Sequence, residues 1–386
     1  MNAWVIGMSF LTWYWAMRIL VARGRVRAAT WSATPADARE LAHAPRVSVC
    51  IPARDEAEVI AGVVADVLAQ DYPNLVELIL IDDRSSDGTA DVARAAANGD
   101  ERLKIVLGDG PPPGWMGKSA ACWRAQGEAQ GDWLLFVDAD VRLTPSALSV
   151  AMGKARDHGA HMVSWFGQLE TKSFWEHVLM PFMGDLIALS APRSRVNDPA
   201  RDDCLANGQF ILIARSAYDQ VGGHEAIKES VVDDVSLGRA VKFHEPVGSL
   251  RYVLLFSVGL MRVRMYDSLR AVWNGFTKNF YTAGKGNVAL LLATIGYLLT
   301  TSVLPFAAVP YLAWRGDIPG AIAAGVTVCT ILGFGAWVRR AGFTQAPFWA
   351  VLLQPLAALL VSGIVVDSTL RGLGLRKGVQ WKGRVV

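Results

Sequence analysis

Apolar residues crowd both ends of this chain, and between them short apolar runs alternate with stretches of helical periodicity. Residues 4–22 are apolar apart from Arg18, and Arg23, Arg25 and Arg27 follow them. Residues 288–314, 318–338 and 349–366 form three more apolar stretches. Each is long enough to span a bilayer, which takes about 20 residues. In the middle, residues 47–51, 77–82, 103–107 and 133–137 read as strands. Residues 55–70, 87–97 and 118–130 read as the helices between them. Further on, 162–166 and 209–213 read as strands, and 173–190 and 233–243 as helices. This βαβα rhythm predicts an α/β fold with a mostly parallel sheet between helices.

The pattern divides the chain into an N-terminal transmembrane anchor at 1–23, a polar connector at 24–45 and an α/β domain at 46–260. An amphipathic helix at 261–285, transmembrane segments at 286–368 and a basic tail at 369–386 complete it. In the amphipathic stretch, Arg264, Arg270 and Lys278 alternate with Met265, Tyr266, Leu269, Trp273 and Phe276. That mixture suits a helix lying in a membrane interface. A cleaved leader carries its positive charge before the apolar core, whereas here the arginines come after it. The expectation is a multi-pass protein of the inner cell membrane with a cytoplasmic α/β domain. Arg339 and Arg340 mark a cytoplasmic turn, and the basic tail asks for the same side. Both cannot hold if all three C-terminal segments cross. One must be re-entrant or interfacial, and Pro305 and Pro310 make the first the suspect.

Composition adds two exclusions. A formal net charge of +3 gives no argument for a nucleic-acid partner. The four cysteines lie far apart with no CxxC, so they supply neither a disulfide framework nor a zinc site. No histidine has ligand spacing either.

The candidate chemistry gathers at strand ends. The run 133–137 closes on Asp138, Ala139 and Asp140. Alternation along a strand would send both carboxylates to one side, at the carboxyl end where α/β sheets bind ligands. A hard divalent cation carrying a phosphorylated substrate would relieve their repulsion; an Asp-rich turn is the competing explanation. After the first strand, Pro52 should stop the ladder and Asp55 should cap the next helix, with Arg54 and Glu56 beside them. After the second, Asp82 or Asp83 is placed to accept hydrogen bonds from a base or ribose, unless the segment is only a turn with Asp87 as cap. Lys118, at a helix start after Gly117, offers a cation to a diphosphate. Asp233 and Asp234 open another helix. They answer either to its dipole or to a need for a general base. The polar stretch 191–205 reads as a site loop.

Taken in order, IPARDE at 51–56, DDRSSDGT at 82–89, DAD at 138–140, GGH at 222–224 and VDDVSLG at 232–238 resemble the family 2 glycosyltransferases of the GT-A fold. PPGWMGK at 112–118, ANGQFILIARSAY at 206–218, RMY at 264–266, WNGFTKN at 273–279 and WKGR at 381–384 resemble the membrane-bound branch associated with hopanoid and carotenoid glycosylation. The resemblance implies a nucleotide-sugar site over Pro52, Arg54, Asp55, Glu56, Asp82, Asp83, Lys118 and Asp138. It implies Mg²⁺ or Mn²⁺ on Asp140 with Asp138, and a catalytic base at Asp234 or its neighbour Asp233. The acidic residue before the base is usually Glu and is Asp233 here. The QxxRW motif of processive synthases has no clear counterpart, since Arg270 and Trp273 are spaced differently. The expectation is an inverting, metal-dependent transfer of one sugar to a polyisoprenoid, hopanoid or carotenoid-like lipid at the cytoplasmic membrane face. A processive polysaccharide synthase and a catalytically silent lipid-binding scaffold are the alternatives. Protein partners stay unknown.

Overall fold

The computed structural model describes residues 2–27, 31–39, 43–190, 193–284, 286–340, 344–377, 380–381 and 384–385. They form two compact units. One comprises Thr30–Gln168 and Ala188–Met265; the other comprises Met1–Ala29, Leu169–Ile187 and Tyr266–Val386. The helices in chain order are α1 (Ala3–Arg27), α2 (Ile60–Leu68), α3 (Thr89–Ala97), α4 (Gly117–Glu128), α5 (Ala147–His158), α6 (Phe174–Ser190) and α7 (Arg193–Val196). There follow α8 (Arg215–Gln220), α9 (Asp233–Lys242), α10 (Leu269–Ala283), α11 (Val288–Leu298), α12 (Leu304–Trp314), α13 (Ile318–Arg340) and α14 (Gln354–Gly372).

The strands of the first unit are β1 (Ser32–Ala33), β2 (Val47–Ala53), β3 (Leu75–Asp82), β4 (Leu103–Leu107), β5 (Trp133–Val137), β6 (Val141–Leu143) and β7 (Met162–Phe166). To these are added β8 (Phe210–Ala214), β9 (Tyr252–Ser257) and β10 (Met261–Val263). Eight of them build one sheet in the order β1-β9-β7-β8-β5-β2-β3-β4. Only β8 runs antiparallel to its neighbours, β5 and β7. Strands β6 and β10 pair separately. The near-continuous apolar runs of β2, β3 and β5 are those of strands covered on both faces. Their side chains fill one core with Cys50, Ile79, Phe136, Ile211 and Leu254.

Two local expectations change. Strand β2 does not stop at Pro52 but pairs with β3 through Ala53. Ala53 faces β3, since its carbonyl accepts the Asp83 N–H at 2.8 Å. Pro52 therefore turns its missing N–H toward β5, whose pairing with β2 has already ended at Cys50. Helix α2 starts at Ile60, not at 55, because residues 54–57 are committed to the neighbouring loop. Elements α5, β6, β9 and β10 escaped the sequence pattern. Half of the buried residues of α5 are alanine or serine, which blurs its periodicity.

Glu77 of β3 is a buried carboxylate inside the sheet. It accepts Ser48 Oγ at 2.5 Å, Gln130 N at 2.6 Å and Lys104 Nζ at 2.5 Å. Burial alone would raise its pKa, but Lys104 and these donors hold it below the ordinary range. Glu77→Ala orphans the buried Ser48 hydroxyl and the partly buried Gln130 N–H and should cost about 2–4 kcal/mol of unfolding free energy, read by denaturant melts in detergent.

In the second unit, Ala3–Arg23, Val288–Trp314, Ile318–Arg340 and Phe348–Gly372 are long and apolar enough to cross a membrane. A π turn at Leu299–Val303 joins α11 to α12. Pro305 sits in the first turn of α12, where a missing N–H is tolerated. Pro310 lies inside α12, and the proline-bearing segment stays helical from Val288 to Trp314. Helix α1 lies along α13, with Thr12 and Thr327 hydroxyls 2.8 Å apart and Trp15 Nε1 donating to Thr301 O at 3.1 Å. Arg18, the one cation of the first apolar stretch, donates to both oxygens of Asp185 at 2.7 Å. Paired this way, a charge is tolerable in apolar surroundings. Helix α10 buries Val272 and Phe276 against Val361 and Ile364 of α14 and Met183 of α6. Its apolar face is occupied by protein.

Candidate active site

The loops after β2 and β3 are stitched together. Asp55 N donates to Ser85 Oγ at 3.0 Å, and Ser86 N donates back to Asp55 Oδ1 at 2.8 Å. Glu56 N donates to Thr89 Oγ1 at 2.8 Å, and Ala57 N to Asp87 Oδ2 at 2.9 Å. Asp55 and Arg84 hold φ of 51° and 59°, a left-handed conformation that non-glycine residues adopt only when surroundings impose it. Asp55 therefore ties two loops instead of capping α2. Asp82 is buried, and its carboxylate accepts the Ser85 N–H at 2.9 Å, so it shapes the turn. Asp83 is the carboxylate left facing the cleft. Arg54 Nη1 and Arg84 Nε stand 3.8 Å and 3.6 Å from it.

Beside Asp83 lies a cavity of ≈ 400 Å³ lined by Ile81, Gly108, Asp109, Pro112 and Trp115 among others. That volume accommodates a nucleoside. Gly110, at φ +91°, lets the Arg84 guanidinium lie where a side chain would stand, 2.4 Å from an added Cβ. The Gly/Pro-rich run 108–111, just before the PPGWMGK segment, was the available signal for this wall, and sequence reasoning passed over it.

Asp138, Ala139 and Asp140 form a tight turn between β5 and β6, closed by Val141 N donating to Asp138 O at 3.2 Å. Strand alternation does not apply, because β5 ends at Val137. The turn still brings the two carboxylates into each other's field. Burial first, then Asp138 and Glu56, push the Asp140 carboxyl up to about 7. Its Oδ1 is buried with no hydrogen-bond partner among the described residues. Lys118, in the first turn of α4, sets Nζ 2.6 Å from Asp138 Oδ1. Burial alone would lower that ammonium, but Asp138 and Asp233 outweigh it and hold its pKa well above the ordinary value.

Asp233 and Asp234 open α9. Asp234 Oδ2 accepts Gly208 N at 3.0 Å, and Oδ1 accepts Val235 N at 2.8 Å. A Cβ on Gly208 would stand 2.8 Å from Lys118 Nζ and 3.3 Å from Asp234 Cβ. Glycine here is what lets lysine and carboxylate approach. Burial first, then Asp233, push the Asp234 carboxyl up to about 6, against Lys118 and the two backbone donors. Sequence reasoning gave Gly208 no role of its own.

The polar stretch 191–205 is less free than expected. Ala191 and Pro192 lie outside the described residues. Beyond them, Asn197 exchanges hydrogen bonds with Leu254, and buried Lys242 Nζ donates to Val196 O at 2.6 Å and Asp203 O at 2.5 Å. His224 is a core residue 2.8 Å from Tyr218 Oη, and burial, helped by Lys118, pushes it down to about 3.

The arrangement can bind a nucleotide, neutralise a diphosphate and accept a proton. No group of three His, Cys, Asp or Glu side chains able to hold a metal occurs among the described residues. Asp138 and Asp140 nevertheless fit a hard cation that takes its remaining ligands from phosphates and water. The unsatisfied, buried Asp140 Oδ1 is the observation behind that fit.

Residues 48–220 match the family model described as glycosyl transferase family 2. The chain is 25% identical over 342 residues to the 4,4'-diaponeurosporenoate glycosyltransferase of Staphylococcus haemolyticus (strain JCSC1435), covering 88% of each. It is 27% identical over 265 residues to the protein of the same name from Staphylococcus aureus (strain MRSA252), covering 67% of this chain and 66% of that one. Among solved structures, the mannosyltransferase PcManGT from Pyrobaculum calidifontis, in complex with GDP-Man and Mn²⁺, aligns with a TM-score of 0.54 and 19% identity. The alignment covers 92% of this chain and 99% of that one and speaks to the fold.

Proposed function

We propose that this chain, a glycosyltransferase whose residues 48–220 match the family 2 model, moves one sugar from a nucleotide-sugar donor to a membrane lipid, with inversion. The observation that carries this reading is the convergence of Lys118, Asp138, Asp140 and Asp234 at the strand ends of one cleft. The relatives' name, a diaponeurosporenoate glycosyltransferase, supports an elongated apolar acceptor. Four apolar helices support delivery of that acceptor from a membrane. The arginines after the first apolar stretch favour a cytoplasmic catalytic domain.

In this reading Asp83 and the Arg54 beside it, with Pro52 and Glu56 from the same β2 loop, receive the nucleoside. Asp138 and Asp140 would hold Mg²⁺ or Mn²⁺, which when bound neutralises charge on the donor diphosphate. Lys118 adds a fixed cation to the leaving group. The acceptor oxygen attacks the anomeric carbon from the face opposite the diphosphate. The new C–O bond forms as the bond to the diphosphate oxygen breaks. Asp234, poised by burial and by Asp233, takes the acceptor's proton.

The test is transfer from radiolabelled UDP- and GDP-sugars into lipid, using membranes that contain the protein with Mg²⁺ or Mn²⁺. One organic-soluble monoglycosylated product is expected. A ladder of longer products would mean a polymerising enzyme, and no transfer from any donor would overturn the reading.

A further inference from the structure

The segment Phe348–Gly372 has the length and hydropathy of a crossing helix. Its contacts give it a different path. Helices α1, α11–α12 and α13 define two faces of their unit. At one face α12 turns into α13, Asn2 Nδ2 donates to Asp317 Oδ2 at 2.6 Å, and Trp4 packs on Tyr311. At the other face α13 ends at Arg340 and α11 begins at Val288.

Both ends of the segment meet this second face. At its start, Arg339 Nε donates to Pro347 O at 3.1 Å, and Val351 occupies the space beside Gly335. At its end, Ser368 Oγ donates to Thr277 O at 2.5 Å and accepts Tyr281 N at 2.9 Å. Asp367 Oδ2 accepts Trp273 Nε1 at 3.0 Å. From there α10 reaches α11 across residues 284–287 alone.

A straight helix of 25 residues is about 37 Å long and cannot both enter the hydrocarbon core and return to the face it came from. A change of helix type marks where the segment can bend. A 3₁₀ stretch, Phe348–Leu353, leads in and α14 leads out. Six residues of 3₁₀ helix rise about 12 Å, less than half of a hydrocarbon core about 30 Å thick. Near the top of the dip, Ala357, Ala358 and Val361 pack with Leu298 of α11.

We propose that residues 344–377 form a re-entrant segment seated in a single leaflet. Its outer surface fits that occupant. Leu359 and Val366 share one line of α14, Leu352 precedes it in the 3₁₀ stretch and Leu373 follows its end, and all four are 44–61% exposed. The line ends in cations suited to the headgroup layer: Arg371 and Arg376 reach Asp367 at 3.1 Å and 2.7 Å, and Lys377 follows. The chain then crosses three times, through α1, α11–α12 and α13. Arg339–Arg340 and the cations after α14 share one side, so the charge conflict in the sequence disappears. The re-entrant element is the third C-terminal segment, not the proline-bearing first.

Single cysteines at Arg315, Arg340, Leu375 and Lys377, in a background with Cys204 and Cys329 changed to Ser, test this. Sealed vesicles of both orientations are treated with a membrane-impermeant maleimide. Leu375→Cys and Lys377→Cys should label from the same side as Arg340→Cys, about tenfold faster than from the other, with Arg315→Cys opposite. Labelling of both tail sites on the Arg315 side would overturn the proposal. So would reaction at those sites only after detergent, which would bury them in the bilayer. Retained sugar transfer identifies the variants that are folded.

Discussion

Asp234→Asn is expected to lower turnover by about 10²–10⁴ while leaving donor affinity within about threefold. An alcohol acceptor is a poor nucleophile until its proton leaves, and in the proposed reading Asp234 is the carboxylate that takes it. Two backbone donors fix its position. Burial and Asp233 lift it to about 6, close to a working pH, where a base is both ionised and reactive. Wild-type turnover should therefore fall as pH drops through about 6, because the protonated carboxyl cannot accept a proton. The variant should lose this acid limb. The same measurement sorts acceptor classes. A lipid carboxylate, as in the relatives' named diaponeurosporenoate, arrives already ionised and needs no base. Turnover close to wild type in Asp234→Asn would remove Asp234 from proton transfer and point to such an acid. Asp233→Asn gives the companion value: a smaller loss, with the acid limb moved to lower pH as the like charge beside Asp234 disappears.

What could be read from the sequence, and what could not, follows from the range of the interactions. Strands β2, β3 and β5 announce themselves because near-continuous apolar runs, broken only by Ser48 in β2 and Glu77 in β3, have no other economical home. The carboxylates at 138, 140 and 234 were legible because each ends a strand or opens a helix, and local pattern marks those places. The choice between Asp82 and Asp83 was not legible. Alternate residues of a strand end face opposite ways, and only the hydrogen bond to Ser85 N shows which carboxylate the turn consumes. Gly208 was invisible for a related reason. Its value lies in a gap between Lys118 and Asp234, which are 116 residues apart in sequence. The path of 348–372 was hidden too, since hydropathy measures how long an apolar segment is and not where its ends are tied.

Asp140→Ala should abolish the metal dependence of donor binding, lowering affinity for a nucleotide sugar by about 10²-fold in Mn²⁺ or Mg²⁺, or about 2.7 kcal/mol. In calorimetry the variant with metal should match the wild type with chelator. Lys118 cannot compensate, because the same fixed cation, 2.6 Å from Asp138, is already present in the wild type. The fold should not suffer, and this separates the functional loss from simple misfolding. Asp140 is a desolvated carboxylate repelled by Asp138 and Glu56, with one buried oxygen unpartnered. A carboxyl raised in the folded state opposes folding once ionised. The opposition is present above about pH 7 and fades as pH falls toward the ordinary carboxyl value. Metal-free Asp140→Ala should therefore melt no lower than wild type at pH 8, with any gain shrinking by pH 4. Donor binding that stays metal-dependent in this variant would move the cation away from Asp140. A melting temperature well below wild type would show that Asp140 supports the turn instead. Instability relieved by removing one carboxylate is the mark of a group kept for a ligand rather than for the fold.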